Sequence, residues 1–318
     1  MNYRSVSDLA DLIRESSCLL PSTVDLVVGI PRSGSVPAYL IGLHLNVAVC
    51  ELTGFLDDSP FINGHTRSRR FPEVKSPSSA RHVLIVDDSV DSGRSIGQVK
   101  DLVASIQYPA QISYLACYAT KKSKKKVDFY FEIVEHPRLF EWNVLQRTFL
   151  EQCAVDIDGV LCKDPTEQEN DDGEKYLHFL KNAKPLFRTE FRFGSLVTSR
   201  LEKYRVETEQ WLQQNHFSYC NLYMLDLPNA EVRRKLNNHG KFKAEIFRQL
   251  KHSKLFIESN PTQAEEIAKL SGKPCLSFST QQLYKPDGEF LHQKKTVLKN
   301  TSGTVGFYEK IKSKLKLR

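Results

Sequence analysis

Two pairs of aspartates follow apolar runs, one pair in each half of the chain. Asp87 and Asp88 come after the run VLIV, and Asp156 and Asp158 come after the run AV. Adjacent carboxylates at the end of a strand can accept hydrogen bonds from the vicinal hydroxyls of a sugar. Carboxylates at i and i+2 can divide the work of phosphoryl transfer, since one attacks phosphorus while the other handles the leaving-group proton. The residue types predict a sugar site in the first half and a phosphatase site in the second.

The loop after the first acid pair has the composition of a phosphate-binding turn. It reads DSGRS over residues 91–95, and the pattern predicts a helix from about Ile96. Ser92, Gly93 and Ser95 offer backbone N–H groups and hydroxyls at the N-terminus of this helix, where anions bind favourably. A diol site and a phosphate site this close together are typical of a pocket for ribose 5-phosphate.

The segment 83–95 resembles the phosphoribosyl-diphosphate (PRPP) motif of type I phosphoribosyltransferases, with serine where that family often has threonine. The resemblance implies that Asp87 and Asp88 bind the ribose hydroxyls. It also implies that the 5-phosphate binds to the loop through Ser92, Gly93, Arg94 and Ser95. The position of Asp91 is that of a general base in relatives that act on 6-oxopurines, so Asp91 is the candidate for deprotonating an acceptor. The alternative is an acidic turn with a helix cap.

A second turn, in the sequence VVGIPRSGS from Val27 to Ser35, resembles the diphosphate loop of the same family. The resemblance implies that Arg32, Ser33 and Gly34 bind the leaving diphosphate and that Mg²⁺ shares its charge. The segment 54–80 corresponds to the mobile hood of the family and contains the arginines Arg67, Arg69 and Arg70. An exposed basic loop without a role in binding is the alternative for this segment.

Three elements follow the Asp-x-Asp-Gly sequence in a fixed order: Thr198 at the end of an apolar run, Lys243 in KFKA, and Glu258 at the end of FIE. Together they resemble the motifs of haloacid dehalogenase (HAD)-like phosphatases. The resemblance implies that Asp156 is the nucleophile and Asp158 the general acid and base. The other roles implied by the family are phosphoryl binding by Thr198, Ser199 and Lys243, and Mg²⁺ binding by Asp156, the backbone carbonyl of Asp158, and Glu258.

One motif of this set differs from the family pattern, and another has two candidate lysines. The last motif usually carries two acids, whereas Glu258 is followed by Ser259, so the second acidic metal ligand is not identified. Lys241 is an alternative to Lys243. The intervals from Asp158 to Thr198 and from Thr198 to Lys243 are too short for a separate cap domain, which predicts an open phosphatase cleft with a minimal cap.

Short apolar runs alternate with helical patterns along both halves of the chain, which is typical of parallel sheets covered on both faces. We therefore expect an α/β protein with two Rossmann-like domains: a type I phosphoribosyltransferase fold over residues 1–147, and a HAD-like phosphatase fold over residues 148–318. The predicted strands are Asp25–Ile30, Asn46–Leu52, His82–Asp87, Gln111–Ala119, Glu151–Asp156, Ser195–Thr198, Tyr219–Leu225, Leu255–Glu258 and Pro274–Phe278.

The composition is that of a water-soluble protein of the cytoplasm. The chain has 318 residues, 40% of them hydrophobic and 26% charged, and it lacks an apolar stretch long enough to span a bilayer or a signal-peptide core. The seven cysteines are scattered and are expected to be reduced. The net charge of +7 favours an anionic partner. Nucleic-acid binding has no support beyond this charge, because no recognition motif is found.

The basic C-terminal tail, Lys294–Arg318, places Phe307, Ile311 and Leu315 on one face of a predicted helix. Docking of this helix on the core is the main prediction, and peripheral contact with the inner face of the cytoplasmic membrane is the alternative. The basic run Lys121–Lys126 is interpreted as a solvated turn.

The two halves together predict a bifunctional enzyme, since the first would create a product bearing a 5-phosphate and the second would remove it. The whole chain resembles bacterial fusion proteins that install ribofuranose in surface polysaccharides such as O-antigen or capsule. The resemblance implies PRPP as donor, Mg²⁺ as cofactor and a glycan hydroxyl as acceptor, carried by a lipid-linked glycan. The oligomeric state is not determined.

Two other functions are considered. The first is a nucleobase phosphoribosyltransferase coupled to a nucleotidase, for which Phe140, Glu141 and Trp142 lie where relatives stack the base; packing at the domain junction is the preferred role of these three residues. The second is a PRPP-sensing regulator with degenerate sites. The intact set of Asp156, Asp158 and Lys243 argues against a regulator, because a sensor does not need a phosphatase nucleophile.

Overall fold

The structure is a computed structural model that describes residues 1–61, 74–106, 108–236 and 238–288, together with the backbone of the short strand Leu298–Lys299. Arg67, Arg69 and Arg70 of the expected hood lie outside the described residues. The apolar positions of the basic tail, Phe307, Ile311 and Leu315, lie outside them as well.

Strands and helices alternate along most of the described chain. The strands are β1 (Asn2–Arg4), β2 (Leu26–Gly29), β3 (Ala48–Glu51), β4 (His82–Ser89), β5 (Gln111–Ala119), β6 (Phe129–Ile133), β7 (Arg138–Phe140), β8 (Cys153–Val155), β9 (Phe193–Leu201), β10 (Tyr219–Leu225), β11 (Leu255–Glu258), β12 (Cys275–Ser277), β13 (Gln282–Tyr284) and β14 (Leu298–Lys299). The helices are α1 (Val6–Ser16), α2 (Ser35–Leu45), α3 (Leu52–Leu56), α4 (Arg94–Ser105), α5 (Glu174–Asn182), α6 (Arg205–Gln214), α7 (Ala230–Leu236), α8 (His239–Gln249) and α9 (Pro261–Ser271).

The described residues form two compact units. The N-terminal unit contains Asn2, residues Arg4–Arg138 and strand β14, and the C-terminal unit contains Met1, Tyr3 and residues 139–288. The short strands β1 and β7 pair with each other, and each larger sheet has six strands. The predicted α/β class with parallel sheets is confirmed. The predicted domain boundary between residues 147 and 148 stays a prediction, because the compact units describe packing and not the extent of each fold.

The sheet of the N-terminal unit has the order β14-β6-β5-β4-β2-β3. Strands β3, β2, β4, β5 and β6 are parallel, and β14 runs antiparallel to β6 at the edge. Alternate residues of β2 and β4 pack into the core that α3 and α4 cover, whereas α1 and α2 contact the same sheet elsewhere. Both faces of the central strands are therefore buried, as their uninterrupted apolar sequence predicts.

The sheet of the C-terminal unit has the order β10-β9-β8-β11-β12-β13, and β13 is the antiparallel member. Helices α5 and α6 contribute to one core cluster and α8 and α9 to another. The central strands β8 and β11 are buried along their whole length. Because β9, β8 and β11 are adjacent and parallel, their carboxyl ends lie side by side.

Local sequence signals explain how α9 follows β11 so closely. The Asn260 side chain accepts hydrogen bonds from the backbone N–H groups of Thr262 and Gln263, and Pro261 occupies the first position of the helix. Gly272 ends the helix in the left-handed conformation, with φ 73°. These are the preferred residues for an N-cap, a first turn and a C-terminal stop. The chain is thereby turned sharply just after Glu258.

Three element bounds differ from the sequence prediction in a way that affects the sites. Strand β4 continues to Ser89, so the first acid pair belongs to the strand itself, and α4 begins at Arg94 instead of Ile96. Strand β8 begins at Cys153 because the residues before it form a 3₁₀ turn.

In the described ranges no helix combines the length and the apolar character needed to cross a bilayer. The seven cysteines are free thiols, as predicted.

The packing of β11 leads to a test of the C-terminal core. Phe256 is fully buried, and its ring packs edge-on against Phe247 with 5.4 Å between centroids. Phe256→Ala is expected to lower the free energy of unfolding by about 3–5 kcal/mol, because it removes a large buried side chain and leaves a cavity. The matched control is Leu270→Ala on the exposed side of α9, where Leu270 is 49% exposed, with a change within about 0.5 kcal/mol. Urea denaturation of both variants measures the difference, and equal losses would contradict this account of the core.

Candidate functional site

The first acid pair lies at the carboxyl end of β4 in the N-terminal unit. Asp87 and Asp88 are 9% and 5% exposed, and the backbone N–H of Asp88 donates to the Asp87 carboxylate at 2.9 Å. Burial, reinforced by the negative charge of Asp88, raises the pKa of Asp87 to about 8. Two carboxyl groups held this close cannot both ionise easily without a bound cation or donor. The pair is therefore suited to accept hydrogen bonds from hydroxyls.

The predicted diphosphate turn lies next to this pair. The Ile30 N–H donates to the Val86 carbonyl at 2.9 Å, and the Ser33 hydroxyl donates to the Asp88 carboxylate at 3.0 Å. A Cβ at Gly34 would lie 2.6 Å from the Ile30 oxygen and 2.7 Å from the Val86 oxygen, so the turn has no room for a side chain at this position. Arg32 is exposed, and the Pro31–Arg32 peptide is cis.

The loop between β4 and α4 presents its side chains to solvent. Asp91, Ser92, Arg94 and Ser95 are all exposed, and Ser95 lies in the first turn of α4. Gly93 caps the helix with φ 73°, a conformation that glycine adopts without strain. The first backbone N–H groups of the helix are therefore directed toward a solvent-accessible position.

Lys126, from the basic run that was interpreted as a solvated turn, reaches this loop. Its ammonium donates to the Ser92 carbonyl, and a Cβ at Gly93 would lie 2.2 Å from its Cδ atom. Lys126 is in turn bound by Lys100 of α4, whose ammonium donates to the Lys126 carbonyl at 2.9 Å. The structure thus places one residue of the basic run against the predicted 5-phosphate loop.

The sequence did not indicate a partner for Asp91. The Nε2 atom of His136 lies 3.1 Å from its carboxylate, and both side chains are more than half exposed. The two residues are far apart in the sequence, and no motif links them. Their contact follows from the pairing of β5 with β6 beside β4.

In the C-terminal unit, one lysine joins two of the predicted acids. The Lys243 ammonium donates to Asp156 at 2.6 Å and to Glu258 at 2.7 Å, and all three residues are less than 5% exposed. The two carboxylates hold the pKa of Lys243 above its usual value, against the opposing effect of burial. The alternative, Lys241, is exposed on another face of α8. The structure brings Asp156, Lys243 and Glu258 together and leaves Lys241 apart.

Thr198 and Ser199 lie on β9 beside this cluster. The Thr198 hydroxyl is buried and accepts the backbone N–H of Arg200 at 3.2 Å. The Ser199 hydroxyl is buried without a hydrogen-bond partner in the described part of the chain. Both residues line the same cavity as Asp156 and Lys243.

Arg200 is a residue of this site that the sequence analysis missed. Its fully buried guanidinium pairs with Asp158 at 2.6, 3.1 and 3.2 Å, and it also contacts the Cys162 sulfur at 3.4 Å. Burial opposes the charge of Arg200, but the neighbouring Asp158 raises its pKa above the usual value. The signal in the sequence was the single charged residue of β9, close to the end of a strand whose other residues are apolar, hydroxyl-bearing or glycine. Such a residue must find a counter-charge when it is buried.

The donor chemistry around Asp156 fits Mg²⁺, which prefers oxygen ligands. The carboxylates of Asp156 and Glu258 and the backbone carbonyl of Asp158 supply such oxygens, and the Ser259 hydroxyl lies 3.4 Å from both the Asp158 carbonyl and Glu258. The Asp158 side chain pairs with Arg200, so it contributes through its carbonyl. Within the described ranges no three His, Cys, Asp or Glu side chains are grouped closely enough to hold a metal by themselves.

A cavity of about 270 Å³ opens beside Asp156. One wall comes from the loop before α5, with Asp164 and Asn170, and from α5 itself, with Tyr176. Another wall comes from α7, with Arg233 and Arg234. The cleft therefore has walls built from short segments and a single short helix, α5, between β8 and β9.

Comparison with known families concerns the N-terminal part of the chain. Residues 2–147 match the model of the family described as phosphoribosyl transferase domain. The chain contains a phosphoribosyltransferase domain. The predicted residues Arg32, Ser33, Gly34, Asp87 and Asp88, together with the loop 91–95, all lie within the matched range.

Three solved structures give similarities at low identity. A purine phosphoribosyltransferase from Pyrococcus horikoshii is 18% identical over 44% of this chain and 92% of its own, with a TM-score of 0.32. A xanthine-guanine-hypoxanthine phosphoribosyltransferase from Helicobacter pylori is 18% identical over 45% of this chain and 92% of its own, with a TM-score of 0.34. A chain of the Pnkp1/Rnl/Hen1 complex is 17% identical over 79% of this chain and 94% of its own, with a TM-score of 0.27.

The aromatic residues considered for base stacking belong to the C-terminal unit. Phe140 is 3% exposed, and its ring stacks on Trp142 with 4.9 Å between centroids and 14° between planes. Glu141 lies between them in a 3₁₀ turn. One face of the Phe140 ring is thus already covered by another aromatic side chain.

The raised pKa of Asp87 in the phosphoribosyltransferase domain predicts a pH dependence of stability. Between about pH 4, the ordinary aspartate pKa, and pH 8, the folded state keeps a proton that the unfolded chain releases. Stability therefore falls as the pH rises through this window. Asp87→Asn is expected to reduce the fall by at least about 1 kcal/mol, the free energy of roughly one pKa unit. Urea denaturation at pH 5 and pH 8 without Mg²⁺ measures this change in the free energy of unfolding. If Asp87→Asn loses as much stability between the two pH values as wild type does, the raised pKa of Asp87 is contradicted.

The pairing of Arg200 with Asp158 predicts a large loss of stability on its removal. Arg200→Met is expected to lower the free energy of unfolding by about 3–5 kcal/mol, because it leaves a carboxylate without its buried partner. Arg205→Met is the matched control, since Arg205 pairs with Glu202 and Glu209 at the surface, where the loss is about 0–1 kcal/mol. Chemical denaturation compares the two. A loss at Arg200 no greater than at Arg205 would argue against a tightly held Asp158.

Proposed function

We propose that this chain is a bifunctional enzyme that transfers 5-phosphoribosyl from PRPP to a hydroxyl of a glycan and then hydrolyses the 5-phosphate. The product is a ribofuranose residue on a bacterial surface polysaccharide. The observation that carries the proposal is the presence, beside a phosphoribosyltransferase domain, of a second unit with a buried Asp156–Lys243–Glu258 cluster that opens into a cavity. Such a cluster suits removal of the phosphate that the first reaction leaves in place.

In the transfer step, Asp87 and Asp88 accept hydrogen bonds from the ribose hydroxyls, and the loop 91–95 binds the 5-phosphate with backbone N–H groups. Arg32 and the turn around Gly34 bind the diphosphate. The bond from C1 to the diphosphate oxygen breaks, a bond from C1 to the acceptor oxygen forms, and Asp91 takes the acceptor proton. Bound Mg²⁺ would neutralise charge on the departing diphosphate.

The contact between His136 and Asp91 supports Asp91 as the base that takes the acceptor proton, and this role fits either a hydroxyl or a nucleobase. The buried and stacked ring of Phe140 supports a hydroxyl acceptor, because a nucleobase site needs an accessible aromatic face. Nucleobases would be the acceptors in the alternative function, a nucleobase phosphoribosyltransferase coupled to a nucleotidase.

In the hydrolytic step, Asp156 attacks phosphorus and the bond from phosphorus to the 5-oxygen of ribose breaks. That oxygen takes its proton from Asp158, which acts as the acid in its protonated form, released from its ion pair with Arg200. Thr198, Ser199 and Lys243 bind the transferred phosphoryl group. Water then attacks the aspartyl-phosphate, Asp158 takes a proton from that water, and inorganic phosphate leaves. Mg²⁺ held by Asp156, the Asp158 carbonyl and Glu258 would supply positive charge to the phosphoryl oxygens.

The test uses the full chain with PRPP, Mg²⁺ and separate pools of glycans and nucleobases, with product masses recorded. Wild type is expected to yield a glycan that has gained a pentose. Asp156→Asn is expected to yield a glycan that has gained a phosphopentose, with removal of the phosphate slowed at least about a hundredfold, because the nucleophile is lost.

Two controls make the result specific. Asp226→Asn changes an exposed aspartate that follows the neighbouring strand β10 outside the cavity, and it should behave as wild type. Asp87→Asn should reduce transfer itself. Pentose gained only by nucleobases would replace the glycan function with nucleoside salvage, and PRPP binding without transfer to either pool would favour a sensor.

A further inference from the structure

A buried arginine lines the cavity of the C-terminal unit without an acidic partner. Arg233 of α7 is 7% exposed. Its guanidinium donates to the Ser199 carbonyl at 3.2 Å and to the Asn170 side-chain oxygen at 2.8 Å. Both acceptors are neutral, so these bonds orient the guanidinium without balancing its charge.

Other groups around Arg233 do not supply the missing charge. In the described part of the chain no carboxylate lies within 4.0 Å of its nitrogens, and its buried Nε has no hydrogen-bond acceptor. The Tyr176 phenol lies beside the guanidinium but is uncharged. Burying a charge without a partner is costly. Lys243, which lines the cavity, and Arg200, which binds the cavity residue Asp158, are both paired with carboxylates. An anion bound at Arg233 would remove this cost.

Arg234, the next residue of α7, adds a second positive charge to this wall of the cavity, on the side of the solvent. It is exposed, lines the same cavity, and donates one hydrogen bond to the Asn170 backbone oxygen at 3.3 Å. His239 also lines the cavity, and burial together with the charges of Arg233 and Lys243 lowers its pKa. Neutral His239 adds donor or acceptor capacity without adding charge. The carboxylates lining the cavity, Asp156, Asp158, Asp164 and Glu258, come from other segments than α7.

The cavity has room for more than one phosphoryl group. Its volume of about 270 Å³ corresponds to roughly nine water molecules at about 30 Å³ each. The phosphoryl position beside Asp156, Thr198 and Lys243 occupies one part of this space. Arg233 and Arg234 belong to a separate element, α7, and line the same cavity, so they offer a second position for an anion.

We propose that Arg233 and Arg234 form a second anion-binding subsite, and that the phosphate monoester taken by this cavity carries a second phosphate or a carboxylate on its leaving group. This inference rests on the proposed phosphatase function of the C-terminal unit. It names the substrate class as a doubly anionic sugar phosphate, such as a phosphoribosyl group attached to an acidic sugar.

The experiment compares fructose 6-phosphate with fructose 1,6-bisphosphate, two furanose phosphates that differ by one phosphate. Binding to the full chain is measured by calorimetry, and phosphate release is measured separately with Mg²⁺. Wild type is expected to bind the bisphosphate at least tenfold more tightly, which is about 1.4 kcal/mol. Arg234→Gln should lower this affinity ratio at least fivefold, and Arg248→Gln, an exposed arginine of α8 outside the cavity, should keep it.

Arg233→Lys provides a second measurement, because lysine keeps the charge but not the planar fork that arginine offers to an anion. The ratio of bisphosphate to monophosphate affinity should also fall in Arg233→Lys. Thermal melting establishes whether this variant is folded. If Arg233→Lys is unfolded, the result for Arg234→Gln tests the proposal. Equal affinity of wild type for both sugars, or equal ratios in Arg234→Gln and Arg248→Gln, would overturn the subsite. Absence of phosphate release from either sugar with an intact affinity ratio would overturn the phosphatase function and leave the subsite standing.

Discussion

Burial of both faces of the central parallel strands determines where polar chemistry can occur in this chain. Strands β2, β4, β8 and β11 are covered on each side by helices, so a polar side chain along their length would lose its hydration without a partner. The exception is the carboxyl end, where the strand leaves the sheet. Because neighbouring strands are parallel, their carboxyl ends coincide, and residues from distant parts of the sequence meet there.

The two units use this edge differently. In the N-terminal unit, Asp87 and Asp88 are adjacent on one strand, and burial together with the repulsion between their charges raises the pKa of Asp87, so that it keeps a proton. In the C-terminal unit the acids come from β8 and β11, and Lys243 lies between them as a fixed cation. The first arrangement favours neutral hydrogen-bonding partners such as hydroxyls. The second holds a carboxylate ready beside a positive charge, which suits reaction with a phosphoryl group.

Charge balance also distinguishes the parts of the C-terminal cavity. Asp158 with Arg200, and Asp156 and Glu258 with Lys243, form pairs within the protein, so these charges are compensated before a substrate arrives. Arg233 is held by neutral oxygens alone. A buried group that the protein leaves uncompensated contributes more to binding than one that must first give up a partner, because the anion does not compete with an internal carboxylate.

The α/β class and the polar strand ends could be predicted from the sequence, because both depend on residues that are close together in the chain. Apolar runs that end in Asp87-Asp88 or in Asp156-x-Asp158 specify a buried strand and a polar end, and the left-handed turn at Gly93 depends on neighbouring residues. The class of fold and the succession of strands and helices along the chain follow from such patterns, whereas the roles of most candidate residues were implied by family resemblance. The α/β class and the phosphoribosyltransferase domain are confirmed, whereas the HAD-like assignment of the second unit stays a prediction.

The tertiary structure decided which side chains meet. Lys241 and Lys243 are equivalent in local sequence, and the packing of α8 against β9 and β11 directs Lys243 alone toward Asp156. The contacts of Arg200 with Asp158 and of His136 with Asp91 join residues about 40 or more positions apart, on segments that only the sheet order brings together. The burial of Arg233 depends in the same way on the loop that supplies Asn170. Periodicity and turn residues report the path of the backbone, but the pairing of charges depends on distances between segments, and those exist only in the folded chain.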